Sequence, residues 1–577
     1  MTERFDRSFF GAGSLITRIG AGALGGKAQG LATVCEAIAA GLPPERFPGV
    51  TVDIPRFTVL TTAVFEAFME ANALWGPATS GLPDDRVAHL FQRAEFPARW
   101  VGDLRALARE IRAPLAVRSS SLLEDAMFRP FAGVYGTKMI PNHQPSEDER
   151  FRRLLEAVKY VWASTFFADA RRYRAAVGAA DGDERMAVMI QEVVGQRHGE
   201  RFYPDLSAVG RSWNCYACEG MLPEEGVVDL ALGLGKTIVG GGRAWSYSPA
   251  APGRPPPFNN QRDMLQNTQR TFWAVRMSNP AQHDPLREDE YLVEAGFEEA
   301  DYDGTLRFVA STLDASTGRL VPGVGIRGAR LLDFAPLLKI ADIPLNDVLR
   351  ALLGACSDLL GCPVEIELAA TFEPRAGLPA RVGLLQVRPQ VAPGEGETVP
   401  PELLESPEAV IASPRVLGHG RRGDLQDIIL VRPEVFDRAR SREIALEVEA
   451  ANARLVAAGR PYVLIGPGRW GTSDEWFGLP VTWGQIAGAR VIVETPLEGA
   501  DSDPSQGSHF FHNVTSFQVA YFTLRASPGY RLDLDWLLSR PAAWESPFVR
   551  HIHLAEPLAL CVDGRSGRGV LLRHASR

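Results

Sequence analysis

The stretch from Pro114 to Thr137, PLAVRSSSLLEDAMFRPFAGVYGT, constrains the chain most tightly. Leu115-Ala116-Val117 is an apolar run that reads as the end of a buried strand. It delivers Arg118 into Ser119-Ser120-Ser121, then Glu124-Asp125 and a Phe131-Ala132-Gly133 turn. A guanidinium fork matches phosphate oxygens, and serine hydroxyls with backbone N–H groups can line the rest of a phosphate site. Taken alone, the same residues also describe a plain surface loop after a strand.

At 577 residues the chain exceeds what one core can organise, so it divides into domains. Its net charge of −9 gives no basic footprint for nucleic acid. No apolar run approaches the ~20 residues of a membrane span. The N-terminus lacks a signal-peptide core. The six cysteines are scattered, which suits a reducing, cytoplasmic setting. Cys215 and Cys218 form one CxxC with no second pair at zinc spacing.

Ala23-Leu24-Gly25-Gly26-Lys27 opens an amphipathic helix carrying Leu31, Val34, Cys35 and Ile38 on one face. Two glycines and a lysine at a helix start suit an anion, and also suit an ordinary Gly-rich start. The residue pattern predicts a helical layer within 151–174 and an apolar strand over 186–194. In the 226–242 segment, Gly235-Lys236-Thr237 imitates the end of a P-loop. The earlier glycine is absent, since position 230 is Leu230, and the P-loop is rejected. A helix over 346–360 puts Leu345, Val348, Leu349, Leu352, Cys356 and Leu359 on one face. Two strands follow, over 364–369 and 382–387. Alternation places Glu365 with Glu367, and Gln386 with Arg388, on faces that a cleft can share. Two carboxylates, an amide and an arginine suit Mg²⁺ and a triphosphate, or else a salt-bridged hairpin.

These motifs, in this order, resemble the nucleotide-binding half of the phosphoenolpyruvate synthase and pyruvate phosphate dikinase family. The resemblance rests on the Gly-Gly-Lys helix, the Arg-Ser-Ser run with its Glu-Asp pair and Phe-Ala-Gly loop, the Gly-Leu-Gly segment, and VEIELA followed by LLQVRP. It implies an α/β (α+β) fold with a two-lobed, ATP-grasp-type domain over residues 1–390, in which the Gly-Gly-Lys helix is followed by a strand over 54–60 and a second helix over 61–69. ATP would be held by Lys27, Arg118, Gly133, Thr137, Gln191, Glu192, Val194 and Gln386. Gln191, Glu192 and Val194 would lie at an adenine-binding hinge. Glu367 and Gln386 would hold Mg²⁺, and Arg388 would act on the transferring phosphate. Lys236 stands where the family usually has an acidic residue.

Val391–Pro407 is Pro- and Glu-rich and reads as a linker. The remainder, 408–577, reads as a smaller α/β domain. Strands are expected over 427–431, 462–465 and 489–494, with a helix over 441–458. The resemblance implies a swivelling domain whose histidine accepts phosphate from ATP. His509 matches that position, and Ser508 is a suitable N-cap for a helix starting there. A helix N-terminus keeps imidazole neutral and holds an incoming phosphoryl group. His509 and His512 could instead be structural, or ligate a metal together. Gly466–Trp483, GPGRWGTSDEWFGLPVTW, reads as a packed loop or as a lid in which Arg469 and tryptophans clamp a substrate.

The leading expectation is an ATP-dependent phosphotransferase that passes a phosphoryl group through His509 to an unidentified acceptor, either a small molecule or a separate protein chain. The alternatives are an ATP-grasp kinase or ligase acting directly on its substrate, and a non-catalytic nucleotide-binding module. No room is expected for the large phosphoenolpyruvate-binding barrel of the full-length enzymes.

Overall fold

A computed structural model describes residues 2–7, 15–121, 133–176, 182, 184–215, 221–256, 264–265, 268–280, 282–373, 379–390, 398–472, 475–497 and 509–573. The side chains of His509 and His512 fall outside that description. The chain is mixed α/β throughout.

Two six-stranded sheets form the first part. One runs in the order Glu3–Arg4, Ile16–Ile19, Phe57–Leu60, Met186–Glu192, Leu115–Ser121, Thr137–Ile140. Its first three strands are parallel and the rest pair antiparallel. The other runs Trp245–Tyr247, Val227–Ala231, Leu206–Arg211, Val364–Thr371, Ala380–Pro389, Val50–Asp53. Both sheets are buried on both faces in their central strands, which is why those strands read as continuous apolar runs. A four-stranded sheet (Leu292–Gly296, Thr271–Arg276, Arg201–Tyr203, Gln196–His198) packs beside the second.

Helix Gly26–Gly41 buries Ala28, Leu31, Val34 and Ile38 against the second sheet's cluster, which includes Val387. Its start is fixed by close approach. Gly25 has φ +79°, and a Cβ there would sit 1.6 Å from the Ser120 carbonyl oxygen. Only glycine allows that backbone contact. Helix Leu345–Leu360 buries Leu345, Val348, Leu349, Leu352, Leu353 and Cys356. Leu359, expected on that face, is instead exposed, because the face turns away before Gly361 ends the helix in the left-handed conformation.

The C-terminal part is one mixed sheet. Its centre is four parallel strands in chain order: Gly420–Val431, Tyr462–Pro467, Ala489–Thr495 and Ala520–Thr523. Helix Ser441–Ala457 makes the first crossover, the short turn Trp483–Gln485 lies on the second, and helix His509–Ser516 lies on the third. Antiparallel strands, Val549–Asp563 the longest, extend the sheet on its other side.

The second half of the segment read as a linker is structured. Pro401–Leu404 is a helical turn, and Val399 and Leu404 are buried with Ala409, Ala412, Val570 and Leu572. Residues 391–397 lie outside the described residues. One apolar cluster runs from the first sheet's helices into the C-terminal sheet. At that junction Phe517 stacks on Trp483 at 5.1 Å and meets Tyr173 at 5.3 Å. Arg172 pairs with Glu449 at 2.5 Å, and Thr482 Oγ1 donates to Asp169 at 3.2 Å. Among the described residues, no helix is long and apolar enough to cross a membrane.

Candidate nucleotide site

The strand that carries Arg118 is longer than the sequence suggests. It spans Leu115–Ser121, so the serines are part of the sheet rather than a loop, and all three are buried. The hydroxyls of Ser119 and Ser120 serve the neighbouring helix start. The Ala28 N–H donates to Ser120 Oγ at 3.1 Å, Ser120 Oγ donates to the Leu24 carbonyl at 2.9 Å, and Lys27 Nζ donates to Ser119 Oγ at 3.1 Å. Ser119 and Ser120 therefore bind the Gly-Gly-Lys helix to the arginine strand, with Lys27 itself 7% exposed.

Arg118 is the centre of the site. Its guanidinium donates to Gln191 Oε1 (3.3 Å) on its own sheet. It also donates to the Leu385 carbonyl (3.1 Å), Gln386 Oε1 (2.8 Å) and Glu367 Oε2 (3.2 Å) on the other sheet. The Arg118 and Glu367 side chains are only 12% and 14% exposed, so this pair interacts in a medium of low dielectric. Gln191 is buried, and its Nε2 has no hydrogen-bond partner, an orphan donor within the cluster. Glu367 stands opposite Gln386 across the strand pair, and a register shift follows directly between Glu367 and Leu368. That irregularity sits beside the carboxylate, where bulges re-aim side chains.

One step along the same strands, Glu365 stands opposite Arg388. Glu365 is buried and accepts from Arg388 Nε at 2.6 Å. It also pairs with Arg211, which lies 3.5 Å from the buried Asp229. Arg388 is thus part of a buried ionic network of two arginines and two carboxylates flanking the Arg118 cluster. Sequence reading missed Arg211 and Asp229. The available signal was a lone charge in an apolar run, Asp229 within GVVDLAL.

Other expected residues lie around this centre. Thr137 is opposite Arg118 in register, and its N–H donates to Glu288 Oε1 at 2.9 Å. Gly133 is exposed in a left-handed turn, φ +67°. Residues 122–132, which contain Glu124, Asp125 and Phe131-Ala132, lie outside the described residues. Glu192 follows Gln191, and its N–H is used by the Arg56 carbonyl. Burial raises the Glu192 carboxyl above its ordinary range, with Arg56 opposing. Val194 is buried against Gly383, where a Cβ would lie 2.7 Å from its Cγ2. Lys236 lies in the turn after Gly233, its ammonium 4.4 Å from the Trp273 ring centroid.

His509 is not part of this cluster: it begins the helix His509–Ser516 in the C-terminal sheet. Ser508, expected as its N-cap, lies outside the described residues, as does Cys218 of the CxxC. The 466–483 segment is mostly packed. Trp470 and Trp483 are buried, and Trp476 is 68% exposed.

Among the described residues no group of three or more His, Cys, Asp or Glu is arranged to hold a metal. Glu367 and Gln386 nevertheless offer two hard oxygen donors side by side, and Mg²⁺ is commonly held by one or two carboxylates together with substrate phosphates.

Prodigiosin synthesizing transferase PigC of Serratia marcescens is 30% identical over 220 residues, which make up 38% of this chain and 21% of that protein. The match thus spans about a fifth of that relative's length. The pyruvate phosphate dikinase AMP/ATP-binding domain matches residues 21–402, well over half of the chain and the whole of the Arg118 cluster. The chain belongs to the pyruvate phosphate dikinase AMP/ATP-binding domain family.

Proposed function

We propose that the protein is an ATP-dependent phosphotransferase whose ATP-grasp-type cleft lies between the two six-stranded sheets. The observation that carries this reading is Arg118, which reaches from one sheet to three oxygens of the other. The mostly buried Arg118 guanidinium, the Lys27 ammonium and an orphan amide donor on Gln191 offer donors to a nucleoside triphosphate, and the Glu367 carboxylate offers a ligand to its cation. Lys27 and Arg118 would hold the phosphates, and Gln191 and Val194 would border the base. Glu367 and Gln386 would hold Mg²⁺, which on binding would neutralise charge on the phosphates. Arg388 would stay oriented by Glu365 and Arg211.

In this reading a pyrophosphoryl group passes from ATP to His509, leaving AMP; its terminal phosphoryl group is released to water as phosphate, and the phosphoryl group that stays on the histidine then passes to an acceptor. His509 suits that role as the first residue of a helix, whose free N–H groups can hold an incoming phosphoryl group. Incubation with ATP labelled at the β phosphate should give an acid-labile, base-stable adduct. His509→Ala should abolish it and His512→Ala should retain it. Turnover of ATP to ADP without label on the protein would replace this route with direct transfer to substrate. Absence of ATP·Mg²⁺ affinity in calorimetry would overturn the function altogether.

A further inference from the structure

Strand Thr137–Ile140 is the outer edge of the sheet that carries Arg118. An edge strand presents unpaired N–H and C=O groups, and folds cover such edges. Here the cover comes from the other side of the cleft. Residues 282–291 lie in the connection between Thr271–Arg276 and Leu292–Gly296, the hairpin of the four-stranded sheet beside the second six-stranded sheet. They attach through Lys138. Its ammonium donates to the Arg287 carbonyl at 2.7 Å and the Pro285 carbonyl at 3.0 Å, and pairs with Glu290 at 2.9 Å. The Lys138 and Glu290 side chains are each 2% exposed. One residue earlier, the Thr137 N–H donates to Glu288 Oε1 at 2.9 Å, and Thr137 stands opposite Arg118 in register.

The segment holds its own shape. Glu290 Oε1 accepts the Asp284 N–H at 2.9 Å, and Asp284 Oδ1 accepts the Leu286 N–H at 3.0 Å. The Arg287 N–H donates to the Asp284 carbonyl at 3.1 Å, and the Arg287 guanidinium pairs with Asp289 at 3.0 Å. A loop bonded to itself in this way moves as a body rather than residue by residue. Glu290 serves both ends: one oxygen closes the loop and the other meets Lys138. Loss of one ammonium therefore removes three attachments together.

The docked arrangement carries costs as well as contacts. In an ion pair this deeply buried, desolvation of the two charges offsets much of their attraction. Burial lowers the Lys138 ammonium below its ordinary value, with Glu290 opposing. Tyr291, next in the chain, is buried, and its hydroxyl has no hydrogen-bond partner among the described residues, a further cost. His283 seats the segment on helix Glu147–Ser164, 3.3 Å from Glu156 and 2.5 Å from Glu290, with Arg153 of that helix in contact. Gln282, His283, Arg287 and Glu288 are exposed. A turn-built segment with exposed side chains and a costly anchor belongs to the low-stability end of a fold, from which moving elements are drawn.

We infer that residues 282–291 form a strap that docks on the edge of the nucleotide cleft and leaves it as one body, with Lys138 and Glu290 as its latch, and that bound nucleotide favours the docked state. Docking sets Glu288 on the Thr137 N–H, across the strand pair from Arg118. Lys138 and Glu290 act through the strap, as positioning residues. A ligand that favours the docked strap must slow its release, and whatever weakens docking must weaken the ligand by linkage. The nucleotide half of the inference rests on the proposed function; the latch does not.

Hydrogen exchange read by mass spectrometry on the full chain tests this, with and without ATP·Mg²⁺. Peptides covering 282–292 and 133–140 report the strap and its edge strand, and one covering the buried strand 186–192 reports global opening. In the wild type the first two should exchange together, and ATP·Mg²⁺ should slow both. Lys138→Met should speed both by about tenfold or more while 186–192 is unchanged. Glu290→Gln keeps an oxygen for the Asp284 N–H and should act alike. The double variant leaves neither charge of the pair behind and guards against misfolding of either single one. Calorimetry should show weaker ATP·Mg²⁺ binding in all three. Strap and edge exchanging independently, latch variants exchanging like wild type, or faster exchange that extends to 186–192 would overturn the latch. ATP that binds the wild type and leaves its strap exchange unchanged would overturn the coupling. A wild type that binds no ATP, with both peptides freed in the variants, removes the phosphotransferase reading and leaves the latch standing.

Discussion

Replacing Arg118 by methionine tests the central cluster most directly. Methionine keeps much of the stem's bulk and removes every donor. Four acceptors lose their partner, three of them on the opposite sheet. The Glu367 carboxylate, 14% exposed, loses its ion pair with Arg118. Breaking a buried pair from one side costs about 3–5 kcal/mol, because the remaining charge is still desolvated. Glu367→Gln removes that charge while keeping an oxygen for Arg118, so it should cost about 1–2 kcal/mol. The double variant should then be more stable than the sum of the single costs implies, by about 2 kcal/mol. Urea unfolding of the four proteins, followed by tryptophan fluorescence, measures this coupling. Calorimetry on the same set should show ATP·Mg²⁺ affinity lost in Arg118→Met and reduced in Glu367→Gln. Additive costs, with ATP affinity unchanged in Arg118→Met, would refute both the coupling and the assignment of the nucleotide site.

Two further outcomes follow from local physics. Asp205 is buried, accepts from the Phe372 N–H at 2.7 Å, and has its carboxyl pushed up by burial to about 7, against 3.8 unperturbed. The native state therefore holds a proton that the unfolded chain has released, so stability falls as pH rises from about 4 to about 7. The loss reaches up to ~4 kcal/mol for a shift of about three units. Asp205→Asn keeps an acceptor for Phe372 and cannot ionise; a wild type and variant with parallel stability-against-pH curves over that window would contradict the assignment. Gly25→Ala places a Cβ on the Ser120 carbonyl at positive φ and should lower the unfolding midpoint sharply, with Lys27 displaced and ATP affinity reduced. Unchanged stability would mean that the helix start does not seat on the serine strand.

Much of the site was legible because its residues sit in strands whose period is two. The alternation in VEIELA and LLQVRP placed Glu365 with Glu367 and Gln386 with Arg388, and the register pairs them as Glu365 with Arg388 and Glu367 with Gln386. The apolar stripe of Gly26–Gly41 likewise gave the buried face of that helix, Cys35 staying half-buried. The serines after Arg118 were misread for an identifiable reason. Ser-Ser-Ser has turn composition, yet the hydroxyls of Ser119 and Ser120 can lie inside a sheet because a neighbouring helix start supplies their partners. That neighbour is 96 residues away in sequence for the bond between Ser120 and Leu24, so no local pattern announces it. The same holds for Leu359, whose exposure depends on what packs beyond the last turn of its helix.

The sequence by itself determined several of the strands and helices, and that arginine, lysine, glutamine and glutamate of a nucleotide site recur in family order. Those properties are local: apolar period, glycine placement and residue chemistry act over a few residues. Only the tertiary structure decided that Arg118 bridges two sheets, that Arg388 is tied into an ionic network with Arg211 and Asp229, and that Lys138 meets Glu290. Buried charges find partners wherever the fold brings opposite charge within a few ångströms. Which distant strand supplies that partner is fixed by the packing of whole sheets, each holding its register because a slip of one residue would turn its buried face outward.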